Sequence, residues 1–447
     1  MLDLVIRGGR VVRSTGVDVM DIGIEGGKVA SLEPEILQAA RQTVDARGLH
    51  VFPGVLDAHV HFNDPGRADW EGVPSGSAAL VAGGGACFID MPLNASPPTL
   101  DPDSLDRKLK ACGGRSFADF ALWGGLTPDN LDHLEALAER GVVGFKAFMS
   151  GSGIEDFRRC DDESLYKGMR IAAGLGLPVL LHAEDEAMTA ELAAKAREEG
   201  RTDVKGFLES RPIEAEAKAI ARAIRMASET GCSIHIVHTS SSWGVQLVRN
   251  AVQAGQCEVT CETCPHYLFL SSEDMLRVGA KAKCAPPLRP EAERLKLVRD
   301  VADGRVDTIG SDHSPSPPSM KRGRDFFSAW GGISGVQATL RALLTLDIPA
   351  PLISRLTAEN VARRFRLPGK GGIRVGGDAD LAVVDIVDVK TVSRFELLDR
   401  HRLSPYAGRK LRGTVRRSML RGATVFLDGR IIGAPSGIHL RPDVTKE

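Results

Sequence analysis

The chain has 447 residues, 43% apolar and 26% charged, with a formal net charge of −1, the composition of a soluble globular protein. So balanced a charge excludes nucleic acid or an anionic membrane as a main partner, and no apolar run reaches the roughly 18 residues of a membrane span. Eight cysteines in so long a chain exclude a disulfide scaffold, and the absence of a signal-peptide layout makes the cytoplasm the expected location.

Residues 1–50 alternate short apolar runs with glycine turns, as in Leu4-Val5-Ile6, Val11-Val12, Ile22-Gly23-Ile24 and Val29-Ala30, the spacing of short antiparallel strands. The pattern returns in Asp380–Asp385, Thr414-Val415 and Thr424–Phe426. The two ends, 1–50 and 372–447, are therefore expected to pair into one small β-sandwich. From 51 to 371, strand-like and helix-like segments alternate. Candidate strands run Val55–His61, Ala86–Met91, Ala118–Trp123, Val143–Phe148, Val179–His182, Ser233–His238, Glu258–Cys261 and Asp307–Ser311. Amphipathic runs such as Leu131–Arg140 and Pro212–Thr230 lie between them. Repeated β-α units imply a parallel sheet, and eight of them predict an α/β fold with a closed (β/α)8 TIM-like barrel. The lone CxxC, Cys261 to Cys264, reads as buried small side chains. The long polar loop Ser314–Phe327 is the candidate lid.

The chemistry gathers at strand ends. Asp57-Ala58-His59-Val60-His61 closes the first middle strand, and side-chain alternation puts His59 and His61 on one face. Leu180-Leu181-His182 and Ile236-Val237-His238 each end an apolar run with a histidine, and Thr308–Asp312 ends one with an aspartate. Two alternating histidines alone are weak evidence of a metal; four strands ending in metal-capable residues are not. Lys146, amid the apolar Val142–Phe148, either reaches solvent from its strand end or, as a carbamate formed with CO2, bridges two cations. Imidazole and carboxylate donors suit zinc, iron, manganese or cobalt. His59, His61 and Asp312 would hold one ion and His182 and His238 another, with Lys146 between. Asp312 can also carry a proton from the attacking water to a leaving nitrogen. His133 lies on a polar helix face and is expected to be solvated.

Several long blocks stand in one order: DAHVHFNDPGRADWEG (57–72), DMPLN (90–94), GFKAFMSGSGI (144–154), LHAED (181–185), VHTSS (237–241), ETCPHYL (262–268), KCAPPLR (283–289) and GSDHSP (310–315). With GGIRVGGDADLAVVD (371–385), they make the chain resemble the cyclic amidohydrolases of the amidohydrolase superfamily, and among them the allantoinases. The resemblance implies a binuclear metal centre, zinc foremost, with Lys146 as N6-carboxylysine, and a homotetramer. It also implies a small-molecule substrate, allantoin, whose ring amide is hydrolysed to allantoate. Dihydroorotases differ at the positions of Asn63 (Arg there), Leu93 (Asn), Ala285 (Asn) and Ser316 (His). An Arg fork holds a carboxylate far better than an Asn amide, so an anionic substrate is disfavoured, with nearby Arg67 the one candidate to compensate. Asn63, Asn94, Ser316, Gly332 and Gly335 are the expected substrate contacts. A hydantoinase or dihydroorotase with altered pockets is the alternative. A non-catalytic member of the fold is a distant one, because all six metal-binding groups are present.

Overall fold

In the computed structural model, which describes residues 1–323 and 325–443, both chain ends build a single nine-stranded sheet. From the N-terminus come β1 (Leu2–Arg13), β2 (Gly16–Glu25), β3 (Lys28–Glu33), β4 (Ala40–Asp45) and β5 (His50–Pro53). β1 pairs antiparallel with β2 from Leu4↔Ile24 to Arg13↔Gly16, the register slipping between Ile6 and Gly9. The C-terminal strands of this sheet are Leu381–Thr391, Lys410–Leu420, Ala423–Leu427 and Arg430–Ile431. Leu381–Thr391 lies antiparallel against β5, Leu381 opposite Pro53, which joins the two ends of the chain. Leu4, Ile6, Val11 and Ile24 pack with Leu381, Val383 and Met419 in one buried cluster, so the ends share an apolar core as well as hydrogen bonds.

The middle of the chain is parallel. β6 (Val55–Val60), β7 (Gly85–Asp90) and β8 (Asp119–Leu122) form one sheet. β9 (Gly124–Gly125), β10 (Phe145–Phe148), β11 (Val179–His182), β12 (Ile234–Ile236), β13 (Val259–Thr263) and β14 (Thr308–Ile309) form another, in that order. The two meet at both edges: Val143 N–H donates to the Leu122 carbonyl (3.0 Å), and His61 N–H to that of His313 (2.8 Å). Strands such as β7 and β11 are buried at every position, as expected where helices cover a parallel sheet. The helix expected over Pro212–Thr230 spans Ile213–Thr230 and ends at Gly231 (φ 69°), a left-handed position that suits glycine. The shorter run Leu131–Arg140 breaks into a 3-10 turn, Leu131–His133, and a helix, Leu134–Glu139, with His133 exposed. Both cysteines of the CxxC are buried and free. Among the described residues no helix is long and apolar enough to cross a membrane.

Of the segment Ser314–Phe327, Ser314, Pro315, Ser316 and Phe326 are buried, while Pro318, Ser319, Arg322 and Gly323 are exposed; Arg324 lies outside the described residues. The rings of Phe326 and Phe327 lie 5.4 and 5.9 Å from that of Phe207.

Candidate active site

The strand ends deliver His59, His61, Lys146, His182, His238 and Asp312 to one cavity of about 530 Å³. His59 comes from β6 and His61 from just beyond it, their rings 5.6 Å apart. Lys146 lies within β10 and His182 ends β11. His238 and Asp312 follow β12 and β14 in left-handed backbone, φ 39° and 45°, a strained conformation that clusters at functional sites. Asp57 ties two of these ends together, its Oδ1 accepting the N–H of His59 (3.1 Å) and of Ser311 (3.0 Å).

The donor atoms form two groups. In the first, His59 Nε2 and His61 Nε2 lie 3.2 and 3.4 Å from Asp312 Oδ1. In the second, His182 Nδ1 faces His238 Nε2 at 3.0 Å. Each group is braced from behind by a carboxylate. His59 Nδ1 lies 2.7 Å from Glu262 Oε1, and His182 Nε2 lies 2.8 Å from Glu184 Oε2, which Arg211 also holds. Carboxylates so placed keep a proton on the bonded nitrogen and leave the other nitrogen's lone pair free for a cation. The two braces therefore select opposite ring nitrogens, Nε2 of His59 and Nδ1 of His182. Gly310 makes the first possible, since a Cβ there would sit 2.4 Å from Glu262 Oε2.

Burial pushes His59 down to about 3 and His182 and His238 below their usual range, so all three are neutral, as ligands must be. Burial raises Asp312, but the neighbouring imidazoles outweigh it, His59 by its electrostatics and His61 by a hydrogen bond, and hold the carboxyl well below its usual range. Burial carries Glu262 up to about 8, so with no cation in the site its carboxyl holds a proton at neutral pH and shares it with His59 Nδ1, and it braces that ring as a carboxylate once ionised. Glu184, raised by burial and lowered by Arg211 and His182, settles at about 2. Lys146 is fully buried, its Nζ has no hydrogen-bond partner, and burial pushes the amine down to about 7. An unpartnered buried amine beside two clusters of imidazoles and a carboxylate fits a site built around cations. A second group of acidic oxygens, on Asp119, Asp378 and Asp380, is already served: Lys370 Nζ lies 2.6, 2.9 and 2.6 Å from them.

The expected substrate contacts divide. Asn94 lines the cavity; its Nδ2 donates to Ser314 Oγ (3.2 Å), and its Oδ1 has no partner among the described residues. Gly332 also lines it, but its N–H donates to the Lys283 carbonyl (2.8 Å) and its own carbonyl accepts from Lys321 (2.6 Å). Asn63, Ser316 and Gly335 are not on the cavity wall. Asn63 turns through φ 65° and reaches the Pro315 carbonyl at 3.4 Å. Ser316 is 1% exposed with an unpartnered Oγ, and Gly335 N–H donates to His313 Nδ1 (3.1 Å). Arg67 does not reach the cavity either. It donates to the Asn94 carbonyl (3.0 Å) and lies over Trp70. Sequence reasoning gave no role to Glu262 or Glu184, although they stand inside the blocks ETCPHYL and LHAED; for Glu184 a carboxylate two residues after the strand-end His182 was the available signal, while Glu262, within β13, follows no histidine.

Residues 50–425 match the amidohydrolase family. The chain belongs to that family. Over 99% of its length it is 52% identical to an allantoinase of Rubrobacter xylanophilus, covering 98% of that protein. It is 50% identical, over 99% of its length and 97% of the relative's, to an allantoinase of Solibacter usitatus. Among solved structures, the L-hydantoinase of Arthrobacter aurescens superposes with a TM-score of 0.94 at 32% identity, over 99% of this chain and all of that one. As an amidohydrolase, the chain combines α/β architecture and parallel sheets with groups of residues suited to metal.

Proposed function

We propose that this amidohydrolase opens the ring of allantoin to allantoate, and that His59, His61, His182, His238 and Asp312, with a carboxylated Lys146, would hold two divalent ions. The observation that carries the substrate is the 52% identity, over nearly the whole of both chains, to a protein named allantoinase. The bridge rests on Lys146 itself: a neutral amine can add to CO2 and release a proton, and the resulting carbamate is the anion that the buried, unpartnered Nζ lacks. The donor set suits zinc, with iron, cobalt or manganese as alternatives.

When bound, such ions would lower the pKa of a shared water and polarise the ring carbonyl. The protein's own residues do the rest. Asp312, kept ionised by His59 and His61, accepts a proton from the attacking water and returns it to the departing ring nitrogen. Glu262 and Glu184 hold the imidazoles in one tautomer throughout. Asn94 Oδ1 is an acceptor for an N–H of the substrate, and Phe148 and Trp330 give the cavity apolar surface against which the ring can pack. Arg67 does not replace the missing fork at position 63, because it is engaged elsewhere.

We read the joined parallel sheets as a (β/α)8 barrel spanning 51–371, and 1–50 with 372–447 as a small β-sandwich. The closing hydrogen bonds at Leu122 and His313 support the first, and the apolar cluster shared by both ends supports the second. A homotetramer is the assembly expected of the family, and sedimentation tests it. The function is tested by giving metal-replete enzyme allantoin, dihydroorotate and hydantoin side by side. A poorly paired carboxylate costs a few kcal/mol, so allantoin should exceed dihydroorotate by about a hundredfold or more in kcat/KM. Equal values would overturn the assignment. The likeness to L-hydantoinase supports a second reading, to which faster turnover of hydantoin than of allantoin would transfer the function.

A further inference from the structure

One wall of the cavity is the run Phe327–Gly332, and two lysines hold it by its carbonyls. Lys283 Nζ donates to those of Phe326 (2.7 Å), Phe327 (3.1 Å) and Ala329. Lys321 Nζ donates to those of Trp330 (3.2 Å), Gly331 (3.2 Å) and Gly332 (2.6 Å). Protonated, each amine uses its three donors on three carbonyls; burial pushes Lys283 down to about 8 and Lys321 to about 7, and neither lysine has a carboxylate within ion-pair distance among the described residues.

Lys321 does not line the cavity, so the carbonyls aimed at it are aimed into the wall. A trans peptide is planar, with its N–H opposed to its C=O. The N–H groups of the peptides that follow Trp330 and Gly331 therefore point away from Lys321, the residue that lies off the cavity wall. One confirms the geometry: Gly332 N–H donates to the carbonyl of Lys283, a cavity-lining residue, at 2.8 Å. The other, Gly331 N–H, has no partner among the described residues.

We infer that Lys321 is a positioning residue for substrate: it turns the Trp330–Gly331 peptide so that Gly331 N–H donates to a carbonyl oxygen of the bound ring or its ureido arm. A carbonyl that accepts from an ammonium polarises its own peptide and makes the opposite N–H a stronger donor. The wall then reads the substrate as a donor at this point, and Asn94 Oδ1 reads it as an acceptor. The inference rests on the cavity being the allantoin site, but its test separates the two.

Lys321→Met in metal-loaded enzyme should raise KM for allantoin by about five- to tenfold, the worth of one hydrogen bond, with kcat within about twofold of wild type and metal content unchanged. Lys321→Arg keeps a cation and donors and should recover most of that loss. Hydrogen exchange gives a readout independent of turnover. Without ligand, the Gly332 amide should exchange at least about tenfold faster in Lys321→Met than in wild type, and in the wild-type holoenzyme saturating allantoate should slow the Gly331 amide. An unchanged KM, a fall in kcat alone, or allantoate protection that spares Gly331 would overturn the inference. If wild type does not turn over allantoin, the function proposed above fails, while the ligand-free exchange comparison still decides whether Lys321 sets the wall.

Discussion

Lys146→Met separates what this side chain costs the fold from what it does for the site. Burial moves the amine from 10.5 to about 7, while in the unfolded chain it ionises freely. At pH 6.5 the unmodified lysine then weakens the metal-free fold by roughly 4 kcal/mol. The sign follows from proton counting: between about pH 7 and 10.5 the unfolded chain binds the extra proton, so this penalty is full below pH 7 and fades as pH rises. Methionine, similar in length and apolar, removes it. Stripped of metal in CO2-free buffer, Lys146→Met should therefore be more stable to urea than stripped wild type by up to roughly 4 kcal/mol at pH 6.5, and by only about 1 kcal/mol at pH 9.5. In metal-replete buffer with CO2 the same variant should lose at least one ion and nearly all activity. A stripped variant no more stable than wild type would refute the burial argument; full metal content and turnover would refute the bridge.

Elemental analysis of loaded enzyme should find about two divalent ions per chain, and activity that survives their complete removal would exclude the proposed centre. Glu262→Gln, which weakens the brace on His59 Nδ1, should reduce metal affinity or kcat by about 10- to 100-fold, as read by competition with a chelator. Lys370→Met would leave Asp380 buried without its cation and Asp119 with Arg421 alone, and should cost about 3 kcal/mol in urea unfolding. Because that knot joins β8 to the segment entering the C-terminal sheet strands, the loss should reach both parts of the chain; an unchanged transition would refute it.

Much of the site was legible because its parts are local. A strand alternates its side chains, so His59 and His61 had to share a face. An apolar run that stops at His182 or His238 places those residues at a strand end whatever the rest of the chain does. The parallel order followed from apolar runs separated by amphipathic ones, and the pairing of the chain ends from their matching short strands. Tertiary structure alone decided the rest. Glu262 meets His59 across 203 residues, and Lys321 and Lys283 reach carbonyls that carry no sequence signature, because every residue but proline offers the same backbone groups. Asn63, Ser316 and Gly335 stand in or near the right blocks, yet Asn63 and Gly335 are turned to other partners and Ser316 is buried behind the cavity wall. Periodicity determines which way a side chain points from its own strand; which distant groups it then meets depends on how the closed packing of the whole core resolves.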